Sequence, residues 1–257
     1  KDPDEINRIR KMGVITTNVV GKVADFLSNQ RVENHTLIGE NNLPITIGLV
    51  KSKINFWLAE AGAENPDQTI FAIGRDAGIP HSQGNDSDVI QLGKTIVFDI
   101  FPCENGGGYY YDFTRTWCVG YAPDDVQKLY DQVRSVYDTV VSELTENTPF
   151  KQYQLRTCEL FEAMGHPTVL SNTSTLEGYV HSLGHGLGLH VHEMPFSRLS
   201  DPENYLLKGS VFTIEPGLYY PDRGMGVRLE DTYYVSGSGT IEKMVDFPMD
   251  LIIPIKQ

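Results

Sequence analysis

Acidic side chains inside apolar, β-branched runs are the first anomaly of this sequence. Asp99 sits in Thr95-Ile96-Val97-Phe98-Asp99-Ile100-Phe101, and Asp112 follows thirteen positions later in Tyr110-Tyr111-Asp112-Phe113-Thr114-Arg115-Thr116. Glu215 closes Val211-Phe212-Thr213-Ile214, and Glu230 follows Val227-Arg228-Leu229. An unpaired carboxylate in a buried strand is costly, so it needs a partner or a cation. Turn-like stretches separate the members of each pair: Glu104-Asn105-Gly106-Gly107-Gly108 in the first, Tyr220-Pro221-Asp222-Arg223-Gly224 in the second. If both turns bring the chain back on itself, Asp99 can face Asp112 across one hairpin and Glu215 can face Glu230 across another. Taken singly, each acid reads better as a turn cap or as the partner of a local arginine such as Arg115 or Arg228 than as a ligand. Four in two matching hairpins predict a carboxylate cluster.

Histidines concentrate in a separate segment. Four of the seven, His181, His185, His190 and His192, fall within twelve residues, in His181-Ser182-Leu183-Gly184-His185-Gly186-Leu187-Gly188-Leu189-His190-Val191-His192-Glu193. Glycines on both sides of His185 are expected to let the backbone crowd a metal or substrate. His181 and His190, taken individually, read as hydrogen-bonded core or surface histidines. A helical zincin motif is excluded, because Phe196 stands where His192-Glu193 would require a second histidine. Four carboxylates and one imidazole without a thiolate suit Mn²⁺, Co²⁺, Zn²⁺ or Fe²⁺ rather than a cysteine-rich structural zinc. That many acids can neutralise two ions, which in carboxylate-bridged hydrolases sit about 3.5–4 Å apart.

Such a cluster needs rigid elements behind it. Ile6, Ile9, Ile15, Val19, Val23 and Phe26 recur at near-helical spacing after an acidic lead, predicting an amphipathic helix over residues 4–28. Further helices are expected over 46–61, with Leu49, Ile54, Trp57 and Leu58 apolar, from Pro123 to about Leu144, and over 151–164. Strands are expected at Thr69 to Ile73, Thr95 to Phe101, Tyr109 to Val119, Val211 to Ile214 and Val227 to Val235. The glycine triplet precedes no helix and no Lys-Ser/Thr pair, so it reads as a hairpin turn rather than a phosphate cradle. Helix pairs followed by strands occur before and after Tyr121, hinting at duplicated halves. No long linker divides the chain, and one α+β domain is the expectation.

Composition narrows the partners. The 257 residues include 21 Lys and Arg against 34 Asp and Glu, a formal net charge of −13. Such a surface repels nucleic acid and anionic lipid. No apolar run is long enough to span a bilayer. Cys103, Cys118 and Cys158 form an odd set without a CxxC spacing, which argues against a disulfide framework and points to a reducing cytoplasm. Sequons at Asn34, Asn85 and Asn172 are short enough to arise by chance. The chain begins at Lys1 with no visible signal peptide, and reads as a processed product or a piece of something longer.

The ordered succession of Asp99, Asp112, Gly184-His185-Gly186-Leu187-Gly188, His192-Glu193-Met194-Pro195, Ile214-Glu215-Pro216-Gly217 and Gly226-Val227-Arg228-Leu229-Glu230-Asp231 resembles the methionine aminopeptidase, Xaa-Pro aminopeptidase and prolidase family. The resemblance implies the pita-bread fold: a curved, mostly antiparallel sheet with helices on its outer face and two pseudo-twofold halves. It implies Asp99, Asp112, His185, Glu215 and Glu230 as ligands of two divalent ions, Mn²⁺ foremost. Asp112 and Glu230 would bridge the ions, and Glu215 would double as proton shuttle. His81, in Gly78-Ile79-Pro80-His81-Ser82, would lie near the scissile nitrogen. His192 would steady the tetrahedral intermediate, worth roughly 10²–10³ in rate by analogy with other oxyanion donors.

The phrases around His192 and Arg228, with His181 four positions before His185, lean toward the Xaa-Pro branch. There His181 and Arg228 would line the proline side of the pocket, and the substrate would be a peptide with proline at its second position. An Xaa-Pro aminopeptidase is the leading expectation, with a prolidase and a non-catalytic peptide-binding module as alternatives; the intact acid set also disfavours the metal-free creatine-hydrolysing branch. The Asp99–Asp112 spacing is two residues longer than usual for the family, which preserves the face each aspartate occupies. Members of the Xaa-Pro branch usually carry a further N-terminal domain, expected here to be absent or removed, and the family leaves room for a homodimer.

Overall fold

A computed structural model describes residues 1–202 and 204–256. The first helix, α1 (Pro3–Ser28), starts with a capping box: the Asp2 side chain accepts from the Glu5 amide, and Glu5 reaches back to the Asp2 amide. Helix α2 (Ile47–Glu60) is capped by the Thr46 hydroxyl, which accepts from the Leu49 amide. It buries Ile47, Val50, Ile54 and Leu58 and turns Leu49 to solvent. Helices α3 (Asp124–Glu143) and α4 (Phe150–Ala163) lie within a residue or two of the expected ranges. Among the described residues, none of them is long and apolar enough to cross a membrane.

Two halves are visible. In the first, strands Ile70–Ile73, Thr95–Ile100 and Phe113–Val119 pair antiparallel, and Ile252–Ile253 adds a parallel edge. Ile9, Val20 and Val23 of α1 and Ile54 of α2 pack there against Phe71, Phe98 and Trp117. In the second, strands Ile241–Lys243, Asp231–Val235, Val211–Ile214, His185–Gly186 and Glu193–Phe196 form an antiparallel sheet in that order, beside the ribbon of Gly217–Tyr220 and Met225–Arg228. Val133 and Val136 of α3 and Phe161 of α4 pack against Phe212, Ile214 and Val227. The halves meet where the Glu230 amide donates to the Thr114 carbonyl at 3.0 Å, an antiparallel bridge between the sheets.

Two strand expectations change. The ladder expected over Tyr109 to Val119 runs with Thr95–Ile100 only from Phe113; nearer the tip the Glu104 amide donates to the Tyr109 carbonyl and the Tyr111 amide to the Pro102 carbonyl, with Cys103 and Tyr110 as an isolated bridge. The run expected over Val227 to Val235 breaks at Leu229 and Glu230: residues before it pair with Gly217–Tyr220, and residues after it pair with Val211–Ile214. This change of partner leaves Glu230 between two ladders, with its side chain free to enter the space between the halves. The Gly106-Gly107 stretch does turn a hairpin, with φ of 84° and 83° and the Gly107 amide donating to the Glu104 carbonyl. Cys103, Cys118 and Cys158 are all free and buried.

Candidate metal centre

Register determines how the first two acids meet. Asp99 pairs with Thr114, not with Asp112, so Asp112 is the diagonal neighbour two residues along the partner strand. Side chains alternate along a strand, so Asp99, Thr114 and Asp112 share one face. The second hairpin places Ile214 opposite Asp231 and Gly217 opposite Arg228, leaving Glu215 and Glu230 in the gap between those ladders. His185 comes from the neighbouring strand, one residue before the Gly186–Phe212 pair. All nine residues singled out in the sequence, Asp99, Asp112, His185, Glu215, Glu230, His81, His181, His192 and Arg228, line one cavity of about 460 Å³.

The donor set fits divalent cations. Asp112, His185 and Glu230 present donor atoms within 4.8 Å of one another. His185 Nδ1 donates to the Gly186 carbonyl at 3.0 Å, so Nε2 is left as a lone pair. That lone pair faces Asp112 Oδ2 at 3.5 Å and Glu215 Oε1 at 3.4 Å, an arrangement that needs a proton or a cation between its members. Asp99 Oδ1, Asp112 Oδ1 and Glu230 Oε1 are buried with no hydrogen-bond partner. Desolvation, reinforced by Asp99 and Glu215, holds the Asp112 carboxyl well above the ordinary carboxylate range. Desolvation with Asp112 and Asp99 does the same to Glu230, and desolvation with Glu230 pushes Glu215 up to about 8.

The surrounding residues divide by exposure. His81 and His192 are exposed at the mouth, the His192 ring 4.2 Å from that of His185. His181 lies deeper: Nδ1 donates to the Ser182 carbonyl at 2.7 Å, and Nε2 accepts from the Tyr219 hydroxyl at 2.8 Å. Burial, with Arg228 nearby, lowers its pKa to about 3, so this ring is neutral. His190 is a surface residue outside the cavity.

One expectation needs correction. The glycines beside His185 serve chain packing rather than metal access: a Cβ on Gly184 would lie 2.0 Å from the Thr213 carbonyl oxygen, and one on Gly186 would lie 2.2 Å from that of Met194. Arg228 is buried and committed. Its guanidinium pairs with Asp99 and donates to the Tyr219 hydroxyl at 2.7 Å and the Pro80 carbonyl at 3.2 Å. The local-arginine reading is therefore correct for Asp99 alone, whereas Arg115 pairs with Asp231 and with none of the four acids.

Tyr219, Thr114 and Arg198 also belong to the site or its support, and sequence reasoning missed them. Thr114 carried a usable signal, being two positions from Asp112 and hence on its face. Tyr219 and Arg198 carried none.

A family model for metallopeptidase family M24 matches residues 7–237. The chain belongs to this family. A relative described as an Xaa-Pro dipeptidase, from Pyrococcus furiosus, is 33% identical over 192 residues, covering 74% of this chain and 51% of the relative. The solved prolidase of Pyrococcus horikoshii OT3 superimposes with a TM-score of 0.81 at 27% identity, over 98% of this chain and 65% of that one. The X-Pro aminopeptidase of Thermotoga maritima MSB8 gives the same TM-score of 0.81 at 23% identity, over 98% and 64% of the two chains, a likeness of fold. The chain thus spans about half to two thirds of the length of these proteins. The architecture is the pita-bread fold that the motifs implied.

The acid cluster makes a pH-dependent expectation for this M24 chain. Glu215 in the chelated protein has a pKa of about 8, above its unfolded value, so its contribution to stability is complete at low pH and is lost as pH rises through about 8. Thermal melts in chelator should fall between pH 6 and pH 9. Added Mn²⁺ should restore the melting temperature most strongly at the higher pH and release protons near pH 7, read by titration calorimetry in two buffers of different ionisation enthalpy. A melt that rises with pH in chelator would contradict the cluster.

Proposed function

We propose that this chain, as one catalytic unit over residues 1–257, is a metallo-exopeptidase that hydrolyses the bond between an N-terminal residue and a following proline. Asp99, Asp112, His185, Glu215 and Glu230 hold two divalent ions, Mn²⁺ foremost, with Co²⁺, Zn²⁺ or Fe²⁺ compatible with the same donors. One observation carries the reading: three buried carboxylate oxygens without partners and the His185 Nε2 lone pair converge in a single cavity. A peptide-binding module without catalysis would have no reason to retain so costly a set. Bound there, the ions supply Lewis acidity, acidifying a water and polarising the scissile carbonyl.

The chain's own side chains supply the rest. Glu215, whose Oε1 lies 3.4 Å from His185 Nε2 at the edge of the donor set, can carry a proton to the leaving imino nitrogen. His81 and His192 stand at the mouth, where they can orient the peptide on either side of the scissile bond and donate to developing negative charge. His181, with both nitrogens engaged, offers the cavity only ring carbon, and Ile70, Phe101 and Val191 add apolar wall. That surface suits a pyrrolidine ring.

Arg198 supports dipeptides as the preferred length. Arg228 is committed to Asp99, but Arg198 lines the same cavity, and among the described residues its ion-pair partner, Asp201, is 4.0 Å away. It can receive the free carboxylate of a C-terminal proline. Chelated protein reloaded with Mn²⁺ should hydrolyse an Xaa-Pro dipeptide faster than its C-terminal amide or an Xaa-Pro-Xaa tripeptide. Arg198→Ala should raise KM for the dipeptide about tenfold, the scale of one charge-assisted hydrogen bond, and leave KM for the amide unchanged. Loaded protein inert toward all three peptides would overturn the hydrolase; equal rates on all three, unaffected by Arg198→Ala, would make it an aminopeptidase.

A further inference from the structure

Glu230 reaches the cavity from a backbone that is clasped on both sides. Its amide donates to the Thr114 carbonyl at 3.0 Å, and Arg115 Nη1 donates to the carbonyls of Thr114 at 3.0 Å and of Glu230 at 2.8 Å. Arg115 Nη2 in turn holds Asp231 Oδ1 at 2.9 Å. The clasp fixes the main chain but leaves three side-chain torsions of Glu230 free. A carboxylate on a free arm loses rotamer entropy each time it engages a cation.

The Thr114 hydroxyl removes that freedom. Its oxygen lies 2.6 Å from Glu230 Oε2 and 3.3 Å from Arg228 Nε. Arg228 Nε can only donate, so the hydroxyl accepts there, and its single hydrogen is directed to Glu230. Thr114 is 0% exposed and Glu230 1% exposed. Oε2 is thus anchored, and Oε1 is left buried without a hydrogen-bond partner in a residue that lines the cavity. Thr116, two positions on and on the same face, is used differently: its hydroxyl exchanges hydrogen bonds with the Arg228 amide and carbonyl and never meets a carboxylate.

We propose that Thr114 is a positioning residue for the metal centre: its hydroxyl, oriented by Arg228, presets the rotation of the Glu230 carboxylate so that a divalent ion binds without first ordering that side chain. The inference rests on the metal-centre reading. Partners of this kind typically change metal affinity by about ten- to a hundredfold.

The test is Mn²⁺ affinity, measured by calorimetry on the chelated full chain, for the parent, Thr114→Val and Thr114→Ser. Val keeps the shape and β-branching of Thr but not the hydroxyl; Ser keeps the hydroxyl. Thr114→Val should bind Mn²⁺ at least about tenfold more weakly than the parent, and Thr114→Ser within about threefold of it. Equal affinity of the Val variant would overturn the proposal, and so would a tenfold loss in the Ser variant. That second comparison decides the matter alone if circular dichroism shows the Val chain unfolded. A parent that binds no Mn²⁺ would instead overturn the metal-centre reading itself.

Discussion

Glu230→Gln should melt higher than the parent in chelator and yet hydrolyse Xaa-Pro peptides at least about 10³-fold more slowly when Mn²⁺ is supplied, a loss of about 4 kcal/mol of transition-state stabilisation. The two effects have one cause. Glu230 is buried beside Asp112 and Asp99, and that crowding, with desolvation, holds its carboxyl in the protonated range. An amide of the same shape still gives Thr114 an oxygen to donate to, and its NH₂ can donate toward the partnerless oxygens of Asp99 and Asp112. At neutral pH folding must protonate this carboxyl, which is ionised in the unfolded metal-free chain, and an amide removes that cost. It also removes an anionic donor from the site. Each kcal/mol gained should raise the melting temperature by about 2–4 °C, visible in a scan with chelator present. A variant that melts lower in chelator, or keeps its activity, would show that Glu230 is not part of a cation site.

Asp231→Ala should produce the largest loss of stability. Asp231 is fully buried one residue past Glu230, and its carboxylate receives Arg115 at 2.9 Å, Lys243 at 2.9 Å and the Tyr137 hydroxyl. Truncation leaves the guanidinium of Arg115, itself 1% exposed, without its counter-charge. Breaking a buried pair in this way costs about 3–5 kcal/mol, or about 6–20 °C in melting temperature for a chain of this size. The exposed helical pair of Arg134 and Asp138, also close at 2.8 Å, is the control. Asp138→Ala should shift stability by no more than about 0.5 kcal/mol, because solvent screens the pair. Comparable losses in the two variants would mean that Asp231 is not the keystone its partners suggest.

Much of this was legible from residue types. The helices announced themselves through apolar spacing and through the Asp2 and Pro123 starts, and the four acids stood out because they interrupt apolar strands. Period-two alternation kept Asp99 and Asp112 on one face despite the longer glycine tip. What escaped depends on partners distant in sequence. The commitment of Arg228 to Asp99 spans 129 positions, and the hydroxyl of Tyr219 acquires its role only because His181 folds against it. The glycines around His185 were visible but misread, since only the neighbouring strands reveal that main-chain oxygens occupy the space of their missing side chains. The break at Glu230 was hidden because the residues on either side favour extended backbone, and what changes there is the sheet to which they pair.

The donors come from both sides of the join between the sheets. Asp99 and Asp112 belong to the half built on α1 and α2, His185 and Glu215 to the half built on α3 and α4, and Glu230 stands at the crossing with Thr114. Ions gripped by the full set would therefore act as rivets through a seam. Neither hemisphere alone could assemble the set, so catalytic competence would be a property of the union, and prying the hemispheres apart would dismantle the chemistry before it melted either core.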